Sequence, residues 1–340
     1  MSLHAIDSIE PAANKTINLL FKPFNLKFWL KLALVAFLMG SGGGGGNFGN
    51  YNTSGGDFND ANFGESFDNL NLWVMDNIGL IAVIIGILIL IALLLWYVSV
   101  VMYFVFLESV IKSKVEIVAG FKRYMDKGFR VLLFEIAIVI AFLLCIILPV
   151  LIYYFIFGWS FGAGFWIFLM LGIFALILLA ILMMIISSFT IDFVVPYMYK
   201  GRGIIGGWKH LVSILRKNIG QVIMYIIMKI ILAIASAILG FIIAIIVLLI
   251  LAIPGVIIVL LAMAIGAAVG ISGICSGAML PVCIAIAVIV LIATVLLLVY
   301  LMTLAMLPIP VFFRYYSLKF LTKIDEEFII PELEEMTPAK

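Results

Sequence analysis

Long apolar runs alternate with short polar segments along this chain. Ile78 to Leu107 and Phe165 to Ile191 carry no charge, and Val131 to Phe157 and Gln221 to Ile253 carry one each. Each exceeds the roughly 20 residues that cross a bilayer as a helix. Leu26 to Met39 is shorter and opens on Lys27 and Lys31, whose snorkelling head groups lengthen it at one end. The pattern predicts an all-α, polytopic membrane helical bundle. Its parts are an interfacial segment at 1–25, a short span at 26–39, a loop at 40–77 and a first repeat unit at 78–191. That unit has spans 78–107, 131–157 and 165–191 around a basic loop at 112–130. A basic amphipathic segment at 192–220, a second membrane unit at 221–313 and a tail at 314–340 complete the chain.

Between spans the period changes. Ile204, Ile205, Trp208, Leu211, Val212 and Leu215 fall on one helical face, with Lys209, Ser213, Arg216 and Lys217 away from it. Ile117, Val118, Phe121, Tyr124 and Met125 repeat that template 87 residues earlier. The predicted unit is therefore span, basic amphipathic helix, span, used twice, with a truncated third copy at L-P-I-P-V-F-F-R-Y-Y-S-L-K-F-L. At the N-terminus Ile9, Ala13, Ile17, Leu20, Phe21 and Phe24 oppose Lys15, Asn18 and Lys22. That helix lies on the inner membrane surface or packs on the protein's own loops, and Pro23 ends it.

Charge placement orients the chain. Of 20 Lys and Arg, six lie in 112–130, five in 200–217, four in 1–31 and four after 313, whereas 41–76 holds none and carries five acids. Short basic loops stay in the cytoplasm, which puts the N-terminus there too. If the C-terminal cations also face in, 254–280 is a re-entrant hairpin; as a full span it would reverse the tail. Gly266, Gly270, Gly273 and Gly277 form a small-residue stripe suited to a close helix neighbour, a protein partner or a second copy of the chain.

Composition settles the class. Hydrophobic residues are 66% and charged residues 11%, against about 45–50% and about 25% in soluble domains. Ionisable residues at membrane depth are then functional candidates: Glu108, Glu135, Asp192 and Lys229. Lys229 paired with Asp192 or Glu135 would either line a polar path or hold helices in register. No catalytic constellation is visible, and the glycine run at 42–46 lacks the lysine of a phosphate loop. His4 and His210 have no Cys or carboxylate cluster at ligand spacing, so no metal or other cofactor is expected. The three cysteines show no disulfide framework. Basic loops beside a bilayer point to anionic lipid rather than nucleic acid.

The block D-F-V-V-P-Y-M-Y-K-G-R-G-I-I-G-G-W-K-H-L-V-S-I-L-R-K-N-I-G from Asp192 to Gly220, with A-I-D-S-I-E-P-A and R-Y-Y-S-L-K-F-L, resembles an uncharacterised family of prokaryotic, notably archaeal, multi-span membrane proteins. The proline-to-tryptophan spacing is also similar to the membrane domain attached to some glycerophosphodiester phosphodiesterases, whose catalytic domain has no counterpart here. The resemblance implies a cell-membrane topology and no activity. The sequence thus leads to a non-enzymatic membrane protein. Its basic helices, through Trp208, Lys209, Arg216, Lys217, Lys122 and Arg123, engage inner-leaflet lipid or a cytoplasmic partner. The alternative is a secondary transporter, which shares internal repeats and interrupted membrane segments.

Overall fold

The computed structural model describes residues 4–40, 77–158, 162–269 and 280–331, and among them all regular structure is helical. A short turn at Ile6–Ser8 leads into α1 (Ile9–Phe21), followed by α2 (Leu26–Gly40), α3 (Ile78–Lys112), α4 (Ile117–Phe157) and α5 (Ala163–Phe189). A π-helical turn at Thr190–Val194 joins α5 to α6 (Val195–Tyr199); α7 (Ile204–Lys217), α8 (Ile219–Val269), α9 (Leu280–Ala305) and α10 (Pro308–Ile324) follow. Among the described residues five stretches are long and apolar enough to cross a membrane: Ile78–Lys112, Ile117–Ile156, Gly164–Tyr199, Ile219–Ile253 and Ala285–Ala305.

α2 starts at the expected residue, whereas boundaries nearer the C-terminus differ from those expected. α2 has 15 residues, about 22 Å of helix against a hydrocarbon core of about 30 Å. α8 continues unbroken for 51 residues from Ile219 through Pro254 to Val269, so no break occurs at that proline. The return of the expected hairpin, with Gly270, Gly273 and Gly277, lies outside the described residues, as does nearly all of the expected loop at 40–77. Residues 308–324 form one helix across the boundary expected at 313.

Pro196 explains the π turn. It has no N–H to give the Asp192 carbonyl, and its ring crowds that carbonyl; the Val195 N–H reaches back to Thr190 O instead, a wider turn. Elsewhere the orphan carbonyls at helix C-termini are met by side chains of other segments. Trp29 Nε1 donates to Leu20 O at 2.7 Å, and Ser99 Oγ to Met39 O at 2.9 Å. Tyr315 Oη donates to Val110 O at 2.8 Å, and Lys127 Nζ to Met198 O at 2.8 Å and Tyr199 O at 3.3 Å. At the N-terminus of α2, Asn25 Oδ1 accepts from the backbone of Lys27 and Phe28, the usual N-cap bond.

The chain forms two compact units, one of Leu38–Phe104 with Val118–Ile204, the other of Met1–Phe37, Val105–Ile117 and Ile205–Lys340. In the first, α3 is apolar and, apart from the half-buried Ile81, exposed from Ile78 to Leu95, and becomes buried only from Ser99. There Gly128 of α4 meets Val101: a Cβ on the glycine would stand 2.5 Å from Val101 Cγ2 and 3.1 Å from its Cα. Tyr124 stacks on Phe104 with centroids 5.6 Å apart, and the π turn with α6 is buried throughout from Thr190 to Met198. In the second unit α10 is buried on nearly all sides. Tyr225 of α8 stacks on Tyr316 and Phe320 with centroids at 5.4 and 4.4 Å. α1 packs along α10 through Ala12, Lys15, Thr16 and Leu20. In both units the packed core lies at the ends of the spans next to the basic segments, and the remaining apolar surface is left bare.

Candidate functional site

The two basic segments share one local architecture. α3 ends at Lys112 and α4 starts at Ile117; α6 ends at Tyr199 and α7 starts at Ile204, both steps 87 residues apart. Each four-residue connection contains a left-handed residue, Ser113 with φ +52° and Gly201 with φ +100°, the conformation that commonly stops a helix. α4 then continues directly into its span. At the other segment Asn218 separates α7 from α8, yet its N–H bonds to Ile214 O at 3.0 Å and its carbonyl takes the Val222 N–H at 3.1 Å.

Burial follows the same offset. Gly120 and Tyr124 are buried, as are Gly207 and Leu211, with Phe121 and Trp208 half-buried beside them. Val118 is 71% exposed and Ile205 68%; Met125 is 40% exposed and Val212 37%. Lys122 and Arg123 lie exposed between the first pair, and Lys209 between the second, with Arg216 and Lys217 exposed one turn on. The single apolar face expected from sequence is thus divided. A glycine, the aromatic after it and the large side chain four positions on from the glycine (Tyr124 or Leu211) pack inward, while a two-residue apolar edge flanked by cations faces away from the protein. Trp208 belongs to the packed part, and Ile214, absent from the expected face, is buried.

Of the ionisable residues at depth, Glu108, Glu135 and Asp192 have local partners. Glu108 is buried and accepts from Lys112 Nζ at 2.7 Å; Glu135 accepts from Trp96 Nε1 at 2.8 Å. Asp192, buried in the π turn, accepts from Ser188 Oγ at 3.3 Å. Lys229 is half-buried on α8. Lys127, counted with the topogenic charges from sequence, is occupied by the α6 carbonyls and lies 5.6 Å from the Tyr124 ring centre.

Other groups escaped the sequence reading. Lys15, placed opposite the apolar face of α1, is buried. Burial pulls Lys323 below its ordinary lysine value, with the Asp7 carboxylate opposing and Lys319 reinforcing the shift. Burial likewise pushes the Tyr315 hydroxyl far above its ordinary range. Cys283 is disulfide-bonded, although the sequence shows no disulfide framework; Cys145 is free and exposed. Three cysteines in apolar runs give no spacing signal for that bond. Finally His210 Nε2 stands 2.9 Å from Asp325 Oδ2, and Glu327 brings a third donor within 4.8 Å of both. Their separation of more than 100 residues hid this cluster from any spacing rule.

A helix apolar on every side is stable as a protein element only in a core or in hydrocarbon. The bare apolar stretches of α3, α5, α8 and α9 have no core around them, so hydrocarbon is their solvent. Fold and surface together define an all-α, polytopic integral membrane protein with five described helices able to span a bilayer. A model described as a family of unknown function, DUF7544, matches residues 3–330, and the chain belongs to that family. Searches of curated proteins and of solved structures find no match to it.

Proposed function

We propose that this protein is a non-enzymatic component of a prokaryotic cell membrane, with its N-terminus cytoplasmic. Its two basic helical segments hold anionic phospholipid head groups of the inner leaflet. The observation that carries this reading is the divided helix face. Val118 with Met125, and Ile205 with Val212, stand exposed beside Lys122 and Arg123, and beside Lys209, Arg216 and Lys217. An apolar edge flanked by cations suits the boundary between acyl chains and head groups. The shared 87-residue offset in helix ends and burial supports descent of the two segments from one duplicated unit.

Each cation near an anionic surface contributes about 1 kcal/mol, so Lys209, Arg216 and Lys217 together contribute about 3 kcal/mol, or roughly 100-fold in affinity. The test compares wild type with Lys209→Gln/Arg216→Gln/Lys217→Gln in neutral detergent, titrated with phosphatidylglycerol or phosphatidylcholine. Preferential binding of lipid to the folded state raises the melting temperature. The phosphatidylglycerol-specific rise shrinks in the variant; an equal rise in both proteins would sink the lipid reading and leave a cytoplasmic protein partner as the ligand of these helices.

A transporter reading draws on one observation, the buried Asp192 in a π turn inside a span, since such turns and intramembrane carboxylates favour functional sites. Loss of solute uptake into proteoliposomes on Asp192→Asn, with the protein still folded, would promote it. Self-association through Gly266, Gly270, Gly273 and Gly277 remains a proposal from the sequence stripe alone.

A further inference from the structure

The cluster of His210, Asp325 and Glu327 joins two segments that neither the lipid reading nor the span architecture requires to meet. His210 projects from α7, the basic interfacial helix. Asp325 follows the last residue of α10, and Glu327 lies two residues further on. Both carboxylates are held by one turn: the Glu327 N–H donates to Asp325 Oδ1 at 3.1 Å, and the Phe328 N–H to Asp325 O at 3.0 Å. Phe328 and Ile330 are buried and fix the segment to its unit. One imidazole nitrogen and two carboxylate oxygens all lie within 4.8 Å of one another.

We propose that His210, Asp325 and Glu327 bind one divalent first-row transition cation, of the zinc, cobalt or nickel class, which clamps α7 to the segment after α10. The donor set selects the class. Calcium and magnesium take all-oxygen shells, whereas an imidazole beside carboxylates suits zinc and its neighbours. Metal–nitrogen and metal–oxygen bonds are about 2.0–2.2 Å, so donors on one ion stand roughly 3.3 Å apart. The His210–Asp325 distance of 2.9 Å opens slightly to reach that value. Glu327, the exposed member, supplies the remaining movement by side-chain rotation. Asp325 is almost fully buried and His210 mostly so, which leaves the fourth position on the Glu327 side, open to water. Asp325 Oδ1, engaged by the Glu327 N–H, serves as the outer-shell contact that orients the coordinating Oδ2.

The competing account is a plain histidine–aspartate pair with no ion, and the experiment separates the two. Full-length protein carrying a streptavidin-binding tag instead of polyhistidine is purified in neutral detergent, stripped with chelator and titrated with zinc and with cobalt. Calorimetry gives stoichiometry, and the visible absorbance of cobalt reports its ligands. Wild type takes up one equivalent. His210→Ala and Glu327→Gln each weaken binding at least about tenfold, the scale set by losing even a supporting contact. Glu326→Gln, an exposed acid one residue away, binds as wild type. Glu327→Gln alters only an exposed side chain and keeps the test valid if His210→Ala fails to fold. Absence of saturable binding, or unchanged binding in Glu327→Gln, overturns the proposal and leaves the plain pair. Neither result bears on lipid binding, which is read separately.

Discussion

Replacing Gly128 by alanine tests how closely α3 and α4 cross. The new Cβ would lie 2.5 Å from Val101 Cγ2, 3.3 Å from Val101 Cβ and 3.1 Å from Val101 Cα. Valine is stiff at χ1 in a helix, and no rotation of its side chain moves the backbone away, so the helices must part. Overpacking of this kind costs about 1–3 kcal/mol, while alanine in place of helical glycine returns about 1 kcal/mol. Gly206 in α7 provides the control, because nothing lies within 4 Å of its added Cβ. Propensity cancels between the two variants, so Gly128→Ala is less stable than Gly206→Ala by the steric cost alone, about 1–3 kcal/mol. Thermal unfolding in one detergent, followed by far-ultraviolet circular dichroism, ranks Gly206→Ala at or above wild type and Gly128→Ala below it. Adding Val101→Ala to Gly128→Ala restores part of the loss, since the clash with the methyl group goes and the crowding against the backbone stays. A Gly128→Ala protein that melts with or above Gly206→Ala would refute the close crossing.

Tyr315→Phe strips the Val110 carbonyl of its hydroxyl donor and costs about 1–3 kcal/mol at neutral pH. Because burial raises the Tyr315 pKa in the folded state above its ordinary 10.0, only the unfolded chain gives up this proton just above pH 10. Stability is then lost as pH climbs past that point, and the alkaline limb of a melting-temperature profile is shallower in Tyr315→Phe. Lys323, lowered by burial, contributes with the opposite slope below its ordinary value but is common to both proteins. Lys127→Met keeps the aliphatic stem and removes the donor to Met198 O and Tyr199 O, for a loss of about 1.5–3 kcal/mol in the same assay; an unchanged melting point would show those carbonyls to be hydrated instead.

The spans were legible because hydrocarbon leaves little freedom in composition: every residue from Ile78 to Leu95 is apolar, and each had to be. The helix starts at Ile117 and Ile204 were legible from the period of the apolar positions. The direction of the apolar face was not legible. In α1 and the turn after it the sequence assigns Ile9, Ala13, Ile17, Leu20, Phe21 and Phe24 to one face, and the structure buries Ala12, Lys15, Thr16 and Leu20 while exposing Ile17, Phe21 and Phe24. In α4 and α7 Gly120 and Gly207 pack inward while Val118 and Ile205 do not. Where lipid is as apolar as a core, small residues that let helices approach closely are useful on the packed side, so the glycines turn inward beside Tyr124 and Leu211 while Val118 and Ile205 face out. Nothing in the sequence sets Lys127 apart from the topogenic charges, because its acceptors are backbone carbonyls near residue 198, which no side-chain pattern advertises.

The lipid-binding proposal requires that the exposed edges of α4 and α7 sit in the membrane boundary. The direct measurement is the immersion depth of spin labels at Val118→Cys and Ile205→Cys in anionic vesicles. The background carries Cys145→Ala, since that thiol is free and exposed. Power-saturation with oxygen and a water-soluble nickel chelate reads the depth. Each label is predicted to lie about 5–10 Å inside the head-group boundary, with oxygen collisions dominating. Labels that meet the nickel chelate as freely as one at the exposed Lys114 would place both edges in water and contradict the account.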